Sequence, residues 1–181
     1  MKTIRVLAAA SAAGATVLAL ASPASAAAFN GNIQATLVGT MTTSAGNCTG
    51  SVLTGSLASG SPSNPLTINS ATFSGCAATV TAQNLSWTGG INGGTATING
   101  FKIKVVATLG ITCYYAGNLT ATARNSTSTA EAQIELVNAS ASKQSGSSFL
   151  CPGTATVSAV YNVKGESSPG SGVYNQKINL F

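Results

Sequence analysis

The groups in this chain best able to do chemistry are four thiols, Cys48, Cys76, Cys113 and Cys151, separated by 28, 37 and 38 positions. Such a quartet has two common fates, metal ligation or oxidation. Zinc sites take closely spaced cysteine pairs, completed by further Cys or His. No C-x-x-C pair occurs here, and the sequence contains no histidine. Two disulfides are therefore expected, as for an even set of cysteines in an oxidising compartment. Four cysteines permit three pairings. Local closure favours Cys48–Cys76 and Cys113–Cys151, because each bridge then staples a unit of a few strands. On the chain-entropy argument each would contribute about 3.5–4 kcal/mol.

Other chemistry is poorly provided for. Without histidine there is no Ser-His-Asp or Cys-His arrangement. Aspartate is also absent, and the acids are Glu131, Glu135 and Glu166. Glu131 and Glu135 would stand about 13 Å apart on one face of a strand, beyond the roughly 5–9.5 Å that glycosidase carboxyl pairs need. They read as solvated charges facing Lys102 or Lys104 across a strand pair. No glycine-rich segment leads into a helix, so no nucleotide loop is expected. The chain is accordingly expected to be no enzyme, with no catalytic residue, no metal and no cofactor. Trp87, Tyr114, Tyr115, Tyr161 and Tyr174 could line a groove, but Trp87 and Tyr161 fall on core faces. Tyr114 sits opposite the face shared by Cys113 and Tyr115. It is a candidate surface-contact residue, together with Tyr174.

The elements that must position these residues are strands. Ile33, Ala35 and Leu37 alternate with polar neighbours. So do Phe101, Ile103, Val105, Ala107 and Leu109, then Ala132, Ile134 and Leu136, then Val157, Ala159, Tyr161 and Val163. Two-residue periodicity marks strands buried on one side. Asn99-Gly100 predicts a hairpin. The apolar parity flips between Ile68 and Ala71 and between Ala82 and Leu85, which predicts bulges or bends. Nine or ten strands are expected, near 31–41, 49–58, 65–74, 78–87, 95–99, 101–110, 112–124, 130–138, 153–164 and 172–181. The fold class is all-β, an antiparallel sandwich or jelly-roll-like barrel with two disulfides.

The first residues indicate the compartment. Lys2 and Arg5 precede an apolar stretch from Val6 to Ala21, then Pro23 and the small-residue run Ala24-Ser25-Ala26. This is the layout of a secretory signal peptide over 1–26, leaving 27–181 as a single secreted β domain. The stretch is shorter than the about 20 apolar residues of a membrane span, and no transmembrane helix is expected in the mature chain. There Lys102, Lys104, Arg124, Lys143, Lys164 and Lys177 face three glutamates, a net charge of about +3. Scattered cations do not clamp phosphates, so nucleic acid is not an expected partner. A surface of Ser, Thr, Asn and Gly repels itself weakly and favours adhesion or self-association.

Several segments together resemble a known family. They are Asn47-Cys48-Thr49-Gly50, Leu66 to Cys76, Leu85-Ser86-Trp87-Thr88-Gly89 and Ile98-Asn99-Gly100-Phe101-Lys102-Ile103. Cys113 with Gly117-Asn118-Leu119-Thr120, and Leu150-Cys151-Pro152, follow in order. Over about residues 30–164 this order is similar to the protein activator of alkane oxidation (PraB-like) family of small secreted all-β bacterial proteins. The resemblance implies a role in handling or adhering to hydrophobic material such as alkanes, with no catalytic residues to carry over.

The function expected is thus that of a non-catalytic secreted or cell-surface protein in adhesion, matrix assembly or contact with hydrophobic substrates. Its partners would be the cell envelope, apolar surfaces or further copies of itself. Two alternatives stand beside this. An outer-envelope β-barrel is suggested by the closing aromatic Phe181, and a small apolar-ligand carrier would require a hollow interior.

Overall fold

The computed structural model describes residues 28–44 and 46–181, and the expected signal peptide at 1–26 lies outside them. Ten strands occur among the described residues: β1 (Gly31–Thr43), β2 (Cys48–Leu57), β3 (Asn64–Cys76), β4 (Thr79–Ala82), β5 (Trp87–Asn92), β6 (Thr95–Val106), β7 (Thr112–Arg124), β8 (Ala132–Lys143), β9 (Thr154–Glu166) and β10 (Tyr174–Gln176). Every pairing is antiparallel. The order β1-β2-β3-β5-β6-β7-β8-β9 closes through β1–β9 into an eight-stranded barrel. The expected all-β barrel is present, and its connectivity is a meander in which consecutive wall strands are neighbours, with β4 off this path. Closure pairs the wall strands on both sides, except where β3 beyond Ile68 runs beside β4 with no ladder between them.

The two remaining strands extend the wall lengthwise. β5 pairs with Thr95 to Asn99 of β6 and β4 with Ile103 to Val106, so β4 and β5 lie end to end. The break between them realises the parity flip after Ala82. Asn84 there adopts a left-handed conformation (φ 52°), which asparagine tolerates better than most residues. The Trp87 indole N–H donates to the Gln83 carbonyl at 3.0 Å, and its ring packs on Phe101 with centroids 4.9 Å apart. The second flip, after Ile68, is a bulge where Thr54 faces Ser70 and Gly55 faces Ile68. β10 pairs with Gly165 and Glu166 at the end of β9, continuing the line of β8.

Alternation puts the apolar faces inside. Ala155, Val157, Ala159, Tyr161 and Val163 are buried while Thr154 and Thr156 are exposed. Phe101, Ile103 and Val105 on β6 and Ala132, Ile134 and Leu136 on β8 are likewise buried.

Three local expectations are corrected. Asn99-Gly100 makes no hairpin, because β6 runs through it as a bulge. Ile98 faces Leu119 and Phe101 faces Gly117, with the Gly100 N–H donating to Asn118 Oδ1 at 3.2 Å. The tight hairpin is instead at Gly93-Gly94 (φ 50° and 89°), between the last pair Asn92 and Thr95. Two consecutive positive φ values are what a type I′ turn demands. Leu109 leaves the core face because β6 ends at Val106 and a 3-10 turn, Thr108–Gly110, follows. Most of the expected strand 172–181 is not strand. Its last residues cross the end of the barrel and bury Ile178 and Leu180 beneath it.

Candidate functional site at the disulfide end

Because strands alternate in direction, the loops segregate to two ends. The connections 44–47, 77–78, 107–111 and 144–153 share one end, and both disulfides lie there. Cys48 and Cys76 are direct partners across β2 and β3, and their bridge closes that strand pair. Cys113, at the start of β7, is joined to Cys151 within loop 144–153. Both bridges are compatible with an oxidising environment.

Loop 144–153 is held at many points. The Lys143 ammonium donates to the Ser148 and Cys151 carbonyls at 3.2 and 3.1 Å. The Tyr115 hydroxyl donates to the Pro152 carbonyl at 3.3 Å. Ser147 Oγ accepts from the Tyr114 N–H at 2.8 Å, and the Ser148 N–H reaches the Thr112 carbonyl at 2.9 Å. Pinned this way, the loop keeps its two large apolar side chains in water: Phe149 is 88% exposed and Leu150 58%. On the adjoining connection Leu109 is 93% exposed and sits at φ 66°. A branched residue in the left-handed region is held at a cost of roughly 1–2 kcal/mol. Single exposed apolar residues are ordinary. Here Phe149 and Leu150 project from a pinned loop and Leu109 from another connection at the same end of the barrel, so large exposed apolar side chains concentrate at that end.

The interior offers much less room. A cavity of about 50 Å³ lies among Met41, Ile68, Trp87, Phe101, Val157 and Tyr161. A second void of about 30 Å³ adjoins it near Ile33 and Leu66. Sites for drug-sized ligands are about 300–1,000 Å³, so a carrier role would require the core to open. A buried polar group in this wall is the Tyr161 hydroxyl, which donates to Ser51 Oγ at 3.0 Å with Met41 Sδ 3.9 Å away. Burial pushes the Tyr161 hydroxyl above its ordinary pKa, and the Ser51 hydrogen bond partly opposes this. The barrel's polarity is also the reverse of a transmembrane barrel, which is apolar outside and polar within. Here the outward residues of β7, for example, are Thr112, Tyr114, Asn118, Thr120, Thr122 and Arg124. Among the described residues no helix is long and apolar enough to cross a membrane.

The two expected surface tyrosines are not brought together. Tyr114 is half-buried on the outer face of β7 at the disulfide end. Tyr174 lies near the opposite end, beside a shallow groove lined by Gln34, Thr36, Asn162 and Lys164. The glutamates do not face Lys102 or Lys104. Glu135 pairs with Arg124 at 2.6 Å and Glu131 with Lys164 at 3.6 Å. Glu166 is buried, accepting from the Gly172 and Gly170 N–H groups at 2.6 and 3.1 Å and from Asn32 Nδ2 at 2.8 Å. The Gly172 N–H above all, with Asn32 next, holds its carboxyl below the ordinary value against the opposing effect of burial.

Sequence reasoning missed the exposed trio. Phe149 and Leu150 carried a usable signal, because they stand between a Gly/Ser turn run and Cys151-Pro152 and belong to no alternating segment. Leu109 concealed itself by continuing the β6 alternation. No family model matches the chain, and no curated protein or solved structure matches it either.

Proposed function

We propose that this is a non-catalytic secreted or cell-surface protein that attaches to hydrophobic surfaces through the disulfide end of its barrel. The observation that carries the reading is the exposure of Phe149 and Leu150 on a loop held by Cys113–Cys151, with Leu109 exposed on another connection at the same end. Apolar area removed from water contributes about 25 cal/mol per Å², and a loop backbone already ordered loses little entropy on docking. Two disulfides suit export to an oxidising compartment. The resemblance to the protein activator of alkane oxidation family accords with a role at apolar substrates, in adhesion or in matrix assembly. With voids of only about 50 and 30 Å³ inside, contact falls to the outside of the molecule.

The test is adsorption of residues 27–181, oxidised and folded, to hexadecane droplets in buffer. The expected result is depletion of protein from the aqueous phase, with at least a ten-fold weaker uptake for the Leu109→Ser/Phe149→Ser/Leu150→Ser variant. Equal adsorption of both proteins, or none by the parent, would overturn the assignment.

A further inference from the structure

The charge distribution sharpens what kind of surface the disulfide end meets. Among the described residues, Glu131, Glu135 and Glu166 all lie in the barrel half remote from the disulfides, where Arg124, Lys164 and Lys177 offset them. The half nearer the disulfides carries Lys102, Lys104 and Lys143 and no acid. Lys143 is turned inward to hold loop 144–153. Lys102 and Lys104 point outward, since their neighbours Phe101, Ile103 and Val105 are buried, and neither makes an ion pair. Tyr114 stands directly opposite Lys104 on the adjacent strand.

Depth fits as well. Lys104 stands two residues before the end of β6 and Lys102 four, about 7 and 14 Å along the strand, which the tilt of barrel strands reduces to about 5 and 10 Å below the rim. Interfacial segments bury their apolar side about 5–10 Å into the boundary between headgroups and acyl chains. Tyrosine and lysine favour the headgroup level. An apolar tip of Leu109, Phe149 and Leu150 seated to that depth puts Tyr114 and Lys104 among headgroups, with Lys102 just above them.

We infer that the disulfide end docks tip-first on an anionic phospholipid surface, with Lys102 and Lys104 selecting the negative headgroups. This inference rests on the reading of that end as the contact surface. It adds a charge requirement that neutral hydrocarbon does not impose.

The experiment is cosedimentation of the oxidised protein with vesicles of phosphatidylcholine alone and of phosphatidylcholine with one-third phosphatidylglycerol, beside the hexadecane assay. The expected result is binding at least ten-fold tighter to the anionic vesicles, weakened by salt. Lys102→Gln/Lys104→Gln should lower that binding by roughly five-fold per lysine and leave hexadecane adsorption unchanged. Phe149→Ser should reduce both. Equal affinity for the two vesicle types, or uptake by hexadecane with none by vesicles, would overturn the lipid inference and leave the proposed function standing. Adsorption to neither would overturn both. Self-assembly without vesicles that is abolished by Phe149→Ser would assign the tip to a second copy of the chain and overturn the lipid inference.

Discussion

The two ends of the barrel solve the same problem in opposite ways. At the remote end the segment 177–181 is held by burying Ile178 and Leu180. Side-chain amides complete the closure. Asn125 Oδ1 accepts from the Leu180 and Phe181 N–H groups at 2.6 and 3.1 Å, and Asn64 Nδ2 donates to the Leu180 carbonyl at 3.0 Å. At the disulfide end, loop 144–153 is ordered by a covalent bridge and by Lys143, while Phe149 and Leu150 face water. An ordinary loop spends its apolar side chains on holding itself in place. This cross-linked one leaves them in water.

Breaking the cross-link should have the largest effect. Cys113→Ser/Cys151→Ser is expected to lose about 3.5–4 kcal/mol of stability, read by urea titration. The molecules that remain folded should adsorb poorly to hexadecane. Cys48→Ser/Cys76→Ser should lose a similar amount, yet its folded fraction should adsorb like the parent. Equal loss of adsorption in the two variants would remove the distinction between the bridges. At the other end, Leu180→Ala should cost about 3.5 kcal/mol, the middle of the range for a buried leucine, with adsorption unchanged.

Smaller changes sharpen the contrast. Leu109→Gly relieves the left-handed backbone and should raise stability by about 1 kcal/mol while weakening adsorption. A destabilised variant would show that Leu109 contributes packing. The smallest global effect is expected at Glu166. Its carboxyl is held below the ordinary value, so its contribution is present above the unfolded carboxylate's pKa and is lost as pH falls through the folded one. Amide exchange of residues 167–173, corrected for its intrinsic pH dependence, should lose protection in acid. Glu166→Gln should flatten this dependence and leave loop 144–153 unaffected.

The same contrast explains what was legible in the sequence. Strand alternation is a local consequence of burying one face, so the core faces of β8, β9 and the Phe101–Val105 stretch of β6 could be read directly. The disulfide pairing followed from local closure, and Cys48 and Cys76 are indeed cross-strand partners. The ends were harder. Asn99-Gly100 has hairpin composition, but β7 supplies Asn118 to satisfy a bulge there, and that partner lies outside any local window. Leu109 has core parity, yet parity means nothing once the strand stops at Val106. The segment 172–181 follows a Ser/Gly/Pro turn run, as a strand would, but its apolar residues Ile178 and Leu180 seal a barrel end, which depends on contacts with Asn64 and Asn125 far along the chain.

The most direct measurement of the central claim is amide exchange of the oxidised protein in solution and when adsorbed to hexadecane droplets. Added protection confined to 107–111 and 144–153 is the predicted result. Protection gained instead over 167–181, or along the outer faces of the strands, would contradict attachment through the disulfide end.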